Sequence, residues 1–175
     1  MELRDKSFKK FITKEELEKK VQSLAGKINE DYKGKKPLFV SILNGSFIFA
    51  ADLMREINIE SEISFVKVAS YEEMESSGNV KQLIGLNENI FNKDVIIIED
   101  IIDTGRTIAR ILDEFKSLGA SSVEVVTLLH KPKSDEVADL LKYVGFEIPD
   151  KFVVGYGLDY DGLGRNLKDI YQLKA

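Results

Sequence analysis

Apolar residues along the chain follow two alternating patterns, short continuous runs and longer stretches with helical spacing. The runs are typical of strands buried on both faces, and the spaced stretches are typical of amphipathic helices. Strands are predicted at 38–43, 63–69, 80–85, 95–98, 123–129, 151–157 and 169–173. Helices are predicted at 14–32, 47–57, 108–118 and 134–141. Because strands alternate with helices, the sequence predicts an α/β fold with a mostly parallel sheet and right-handed crossovers.

Size and composition limit the chemistry that the chain can carry. Its 175 residues suit one domain spanning 1–175. With no cysteine and one histidine, disulfides, thiolate catalysis and a multi-histidine zinc site are excluded. The net charge of −5 argues against nucleic acid as a partner, because phosphate backbones reward clustered basic residues. No apolar stretch reaches the roughly 18 residues of a membrane span and the first residues lack an apolar signal core, so we expect a cytoplasmic protein with no membrane partner.

The most informative segment is the strand at 95–98 and the loop that follows it. Two carboxylates, Glu99 and Asp100, come directly after the apolar run, a third follows at Asp103, and Thr-Gly-Arg-Thr leads into a helix. A helix N-terminus leaves up to four N–H groups without partners and favours an anion, and the glycine lets the main chain approach a ligand closely. We therefore predict that 103–107 binds a monophosphate at the carboxyl end of a central strand. An ordinary helix cap is the alternative interpretation.

The segment 95–108 resembles the phosphoribosyl-pyrophosphate signature of the type I phosphoribosyltransferases. Further blocks at 41–46, 70–71, 127–132 and 144–159 resemble the hypoxanthine-guanine phosphoribosyltransferases, in the same order along the chain. The resemblance implies a twisted sheet with helices on both faces, a small hood formed by the terminal segments, and a mobile loop at about 70–80. It also implies transfer of ribose 5-phosphate from phosphoribosyl pyrophosphate to N9 of hypoxanthine or guanine, giving IMP or GMP and pyrophosphate, as in purine salvage. Relatives are homodimers or homotetramers, so a homo-oligomer is expected.

The resemblance assigns a role to individual residues on the sugar-phosphate side of the site. The catalytic base near N7 of the purine would be Asp103. The 5′-phosphate would be bound by Asp103, Thr104, Gly105, Arg106 and Thr107. The ribose hydroxyls would be bound by Glu99 and Asp100, and pyrophosphate by Leu43, Asn44, Gly45 and Arg165, with the Leu43–Asn44 peptide a candidate for the cis form. In a regular strand Glu99 and Asp100 point to opposite sides, so they share one ribose only if the chain has left the strand there.

On the purine side, the resemblance implies base contacts from Lys131, Phe152, Val153 and Asp159, and loop contacts from Ser70 and Tyr71. Mg²⁺ would be bound by Glu99, Asp100 and Asp159 together with substrate oxygens. A cation that faces O6 favours 6-oxopurines over adenine, whose amino group is also a donor. The only histidine, His130, is expected to be structural or on the surface.

Several alternatives share these residues. One is a transferase that prefers xanthine, and another is a regulator that has kept the phosphate site but lost turnover. A nucleotide-sensing module without catalysis is a third, although such a module has no need for Asp103, Lys131 and Arg165. The segment 70–79 is either a plain surface hairpin or a lid that closes over the reacting sugar. A Walker loop is excluded because G-x-x-x-x-G-K is absent.

Overall fold

The computed structural model describes residues 1–68, 83–132 and 137–174. The helices in this part of the chain are α1 (Lys14–Asp31), α2 (Phe47–Glu56) and α3 (Arg106–Ser117). The strands are β1 (Glu2–Leu3), β2 (Lys6–Ile12), β3 (Leu38–Leu43), β4 (Glu62–Val68), β5 (Leu83–Ile84), β6 (Asp94–Ile102), β7 (Ser122–His130), β8 (Leu141–Glu147), β9 (Val153–Val154) and β10 (Ile170–Leu173). A short 3₁₀ helix, Ala138–Leu140, precedes β8.

The larger sheet has the strand order β5-β4-β3-β6-β7-β8. Strands β4, β3, β6, β7 and β8 pair in parallel, and β5 pairs with β4 in the antiparallel sense. The central strand β6 is buried on both faces from Val95 to Ile98, as the continuous apolar run predicts. The α/β fold with a mostly parallel sheet is therefore confirmed.

Helices cover both faces of this sheet. On one face, α1 and α2 pack against Phe39 of β3 and against Ile96 and Ile98 of β6. Their contacts include Leu17, Ile28 and Leu53. On the other face, α3 packs against Val95, Ile97 and Ile102 of β6. The buried stripe of α3 consists of Ile108, Ile111, Leu112 and Phe115. Leu118, the last apolar position of the predicted pattern, ends the helix and is 48% exposed.

The terminal segments form a second, antiparallel sheet with the order β1-β2-β10-β9, which is the small hood that was expected. Strand β2 was not predicted, because Phe8, Phe11 and Ile12 have helical rather than alternating spacing. The pairing of β2 with β10 shifts register between Ile170 and Tyr171, where Phe11 of β2 is the extra residue, and this accommodates that spacing. The carboxylate of Asp169 just before β10 accepts a hydrogen bond from the first N–H of α1 at 2.7 Å, which joins the hood to the main body.

Two predicted elements near the C-terminus are wrong. The helix predicted at 134–141 is a 3₁₀ turn at 138–140 in its described part, and β8 follows at once. Strand β8 lies at the edge of the sheet and buries only Tyr143 fully, so no apolar run marks it. The strand predicted at 151–157 shortens to β9, because the chain turns back in a bridge between Gly155 and Leu158.

Candidate active site

A cavity of about 410 Å³ opens where the carboxyl ends of β3 and β6 meet the hood. The residues that line it are Ile42, Leu43, Gly45, Glu99, Asp100, Ile101, Asp103, Lys131, Phe152, Val153, Leu158, Asp159 and Arg165. All but three of these were predicted from the sequence as site residues. The exceptions are Ile42, Ile101 and Leu158, apolar neighbours of predicted residues that carry no chemical signal of their own.

Glu99 and Asp100 both line the cavity although β6 continues through Ile102. The regular alternation of faces is interrupted at this point, because the pairing with β7 skips Asp100 and Ile101 packs on the same face as Ile96 and Ile98. That one ribose binds both carboxylates stays a prediction. The carboxylate of Glu99 turns along the strand and accepts the N–H of Asp100 at 3.1 Å, and the carboxylate of Asp100 accepts the N–H of Ile101 at 2.8 Å. These local hydrogen bonds bring the two acidic groups together at the end of the strand.

The environment of Glu99 disfavours its negative charge. Burial raises the pKa of Glu99 well above its ordinary value, and the neighbouring charge of Asp100 raises that pKa further. A cation, or a substrate atom that becomes positive, would relieve this repulsion. The site is thus arranged to stabilise positive charge that arrives with a ligand or develops during a reaction.

The loop after β3 packs against the acidic pair. Its Leu43–Asn44 peptide is cis, as the resemblance suggested. A Cβ atom on Gly45 would lie 1.7 Å from the Oδ2 atom of Asp100, so only glycine leaves room for that carboxylate. The buried Ser46 hydroxyl bonds to the carbonyl of Ile42 at 2.5 Å and braces the same loop. Asn44 is not among the residues that line the cavity.

Beyond Asp103, the predicted phosphate loop runs into the first turn of α3. Gly105 caps the helix with a φ of +74°, and a Cβ atom there would lie 2.1 Å from the side chain of Val137. Thr104, Arg106 and Thr107 are exposed beside it. The loop from Thr104 to Thr107 does not line the cavity itself. It places the helix N-terminus, where the N–H of Arg106 donates to the Thr104 hydroxyl at 3.5 Å, next to Asp103 at the cavity edge.

Lys131 forms ion pairs with two carboxylates at the cavity wall. Its side chain is only 10% exposed, and its Nζ atom lies 3.4 Å from Oδ2 of Asp103 and 3.6 Å from Oδ1 of Asp150. A buried ammonium needs such partners to keep its charge. Asp150 was missed, although it stands in the Ile-Pro-Asp-Lys-Phe part of the block that carries the resemblance. The neighbouring His130 is buried in β7, which is in line with a structural role.

The opposite wall is contributed by the hood and the loop after β9. Phe152 is 43% exposed, and Val153 beside it is buried in β9. The carboxylate of Asp159 lies 2.9 Å from Nη2 of Arg165 and accepts the N–H of Gly162 at 2.7 Å. Arg165 also donates from Nη1 to the carbonyl of Gly157 at 2.6 Å. Asp159 is therefore held by Arg165 in addition to facing the cavity.

The predicted loop contacts Ser70 and Tyr71, and the mobile loop at about 70–80, lie outside the described residues. No helix in the described ranges is long and apolar enough to cross a membrane. Within the same ranges, no three His, Cys, Asp or Glu side chains form a group that could hold a metal ion.

Comparison with known proteins agrees with this geometry. Residues 10–161 match the family of phosphoribosyl transferase domains. The chain belongs to this family. It is 44% identical over 157 residues to a hypoxanthine phosphoribosyltransferase of Buchnera aphidicola, covering 88% of this chain and 89% of that one. It superposes on a crystal structure of a hypoxanthine-guanine phosphoribosyltransferase from Bacillus anthracis with a TM-score of 0.87 and 38% identity, covering 96% of this chain and 100% of that one.

Another relative of this phosphoribosyltransferase chain is larger. The bifunctional protein TilS/HprT of Listeria innocua is 44% identical over 167 residues, which are 95% of this chain and 26% of that protein. A sequence similar to almost the whole of this chain thus also occurs as part of a longer polypeptide.

Proposed function

We propose that this protein transfers ribose 5-phosphate from phosphoribosyl pyrophosphate to N9 of a 6-oxopurine, hypoxanthine or guanine, in purine salvage. The observation that carries the proposal is the meeting of three groups at one cavity, with the α3 N-terminus beside its edge. The three groups are the acidic pair Glu99–Asp100, the Asp103–Lys131 pair and the exposed ring of Phe152. The names of the relatives support the same substrate class.

In this proposal each part of the cavity serves one part of the reaction. The purine N9 forms a bond to C1′ of the ribose while the bond from C1′ to pyrophosphate breaks, so positive charge develops on the sugar ring. Glu99 and Asp100 stabilise that charge. Asp103 accepts the proton that leaves N7 of the purine, and Lys131, 3.4 Å from Asp103, donates to O6. The N-terminal turn of α3 binds the 5′-phosphate.

Negative charge develops on pyrophosphate as it leaves, and residues on the pyrophosphate side of the cavity would stabilise that charge. The main chain of 43–45 and the guanidinium of Arg165 would bind pyrophosphate there. The adjacent carboxylates Glu99 and Asp100 suit Mg²⁺, which binds proteins through one or two carboxylates and completes its shell with substrate oxygens. Asp159, the third predicted ligand, is paired with Arg165 and does not form a three-carboxylate group with them in the described part of the chain. When bound, Mg²⁺ would neutralise negative charge on the leaving pyrophosphate. A cytoplasmic location and a homo-oligomeric state stay predictions.

A purine panel tests the proposal. Purified protein is incubated with Mg²⁺, phosphoribosyl pyrophosphate and hypoxanthine, guanine, xanthine or adenine in turn, and pyrophosphate release is measured. We expect release with hypoxanthine or guanine, none with adenine, and a loss of about 10²–10⁴-fold in kcat for Asp103→Asn. Release with xanthine alone would identify the xanthine transferase. Binding of a nucleoside monophosphate without release from any base would identify the sensing module.

A further inference from the structure

An aromatic cluster holds the ring of Phe152 from the hood side. Resting on the proposed function, we propose that Phe8 and Tyr160 are positioning residues that fix the Phe152 ring for stacking on the purine. The N-terminal strands would then control affinity for the base, although neither Phe8 nor Tyr160 lines the cavity. Phe8 also lies outside the residues 10–161 that match the family.

The three rings form a closed triangle. The centroid of Phe152 lies 5.7 Å from that of Tyr160, with the rings edge to face at 78°, and 6.3 Å from that of Phe8, with the rings tilted by 51°. Phe8 and Tyr160 lie 6.0 Å apart and complete the triangle. These distances and angles fall in the range in which aromatic pairs attract each other. Each ring therefore restricts the rotation of the other two.

The supporting rings are themselves anchored. Phe8 is fully buried in β2. The Tyr160 hydroxyl donates to Oδ1 of Asp5 at 2.7 Å, and Asp5 lies in the turn between β1 and β2. The main chain of Tyr160 exchanges two hydrogen bonds with Leu163, at 2.8 and 3.0 Å. Tyr160 is thus fixed at its backbone and at its hydroxyl, and it connects the N-terminal turn to the wall of the cavity.

Such support has a consequence for binding. Phe152 is 43% exposed, and an exposed phenyl ring without neighbours would sample several rotamers and lose that freedom when a base stacks on it. A ring that is already held in place avoids this loss. Loosening the cluster should therefore weaken the purine step and leave the sugar-phosphate step unchanged. The 5′-phosphate loop and the 43–45 loop lie on other elements, and Arg165, which shares a loop with Tyr160, is held independently by its 2.6 Å hydrogen bond to the carbonyl of Gly157.

The test compares Tyr160→Ala with Tyr160→Phe and with a matched hood control, Tyr171→Ala. Tyr171 lies in β10 of the same small sheet, and its hydroxyl bonds to Asp169. For Tyr160→Ala we expect the KM for hypoxanthine to rise about two- to tenfold, with the KM for phosphoribosyl pyrophosphate unchanged. Tyr160→Phe retains the ring and should stay within twofold of the wild type. Thermal unfolding shows whether each variant is folded, and Phe8→Leu replaces Tyr160→Ala if that variant is not.

Each outcome decides a different point. An equal rise in both KM values for Tyr160→Ala, or the same purine-specific rise for Tyr171→Ala, would overturn the positioning role. A wild-type KM for hypoxanthine in a folded Tyr160→Ala or Phe8→Leu variant would overturn it as well. If the wild type releases no pyrophosphate with any purine, it is the proposed function that fails, and the positioning role falls with it.

Discussion

Replacing Gly45 with alanine perturbs the acidic pair by a single methyl group. The new Cβ atom would lie 1.7 Å from Oδ2 of Asp100, whereas an ordinary contact begins at 3.4 Å, so the carboxylate must retreat by roughly 1.7 Å. Gly45 does not have a positive φ, and alanine therefore fits the backbone. The other oxygen of this carboxylate, Oδ1, accepts the 2.8 Å hydrogen bond from the N–H of Ile101. Loss of that bond during the retreat would cost about 1 kcal/mol.

A displacement of this size is large for a catalytic group. Misplacing reacting groups by about 1 Å can cost roughly 10²-fold in rate, so we expect kcat/KM for pyrophosphate release from Gly45→Ala to fall at least about 100-fold. The fall in the free energy of unfolding should be only about 1–3 kcal/mol, because the clash is confined to a loop and one carboxylate.

The matched control is Gly26→Ala, in the middle of α1, where a Cβ atom meets nothing within 4 Å. It should retain wild-type activity and gain about 0.5–1 kcal/mol of stability from better helix propensity. Both variants are assayed for pyrophosphate release and for thermal unfolding. Activity of Gly45→Ala within tenfold of the wild type would mean that the position of Asp100 is not important for the reaction.

Three other substitutions test the electrostatics. Because the folded-state pKa of Glu99 is raised, its contribution to stability is present at low pH and is lost as pH rises through that value. Glu99→Gln should therefore raise Tm at pH 7 but not at pH 4, while lowering activity; no gain at pH 7 would contradict the burial argument. The pKa of Asp169 is lowered, chiefly by the hydrogen bond from Lys10, so its contribution is present above pH 4 and is lost as pH falls. Asp169→Asn should lower Tm at pH 7 by about 2–4 °C, which corresponds to a loss of about 1 kcal/mol in the free energy of unfolding. The decrease in Tm should be smaller near pH 3, and equal decreases at both pH values would exclude the charge as the cause. Lys131→Met should lower kcat/KM for hypoxanthine about 100-fold and reduce the ratio of kcat/KM for hypoxanthine to that for adenine. An unchanged ratio would show that Lys131 does not recognise O6 of the base.

Much of the sheet and of the cavity was predictable from sequence, because the relevant signals are local. The apolar run at 95–98 can form only a buried element, and the carboxylates and small residues that follow it must lie at its end. The acidic pair, Asp103 and Lys131 were placed in this way or through the resemblance, and the structure brings them to one cavity.

The missed features depend on contacts between distant parts of the chain. Strand β2 exists because it pairs with β10 more than 150 residues later, and β8 exists because it pairs with β7 at the sheet edge. Neither strand has an alternating pattern strong enough to predict it alone. The link between Asp150 and Lys131, and the cluster of Phe8 with Phe152, likewise join segments whose proximity only the folded chain creates.

The charges at the cavity differ in how far they are already compensated, and this difference bears on catalysis. In the free protein Lys131 lies near two carboxylates, and Arg165 is paired with Asp159, so binding a substrate exchanges one set of partners for another. The two largest influences on Glu99, burial and the charge of Asp100, both disfavour its ionised form. Only interactions that become stronger in the transition state accelerate a reaction. In the proposed reaction the acidic pair would gain most when the sugar ring becomes positive. We therefore expect most of the rate acceleration to come from Glu99 and Asp100, and we expect Lys131 and Arg165 mainly to select and orient the substrates.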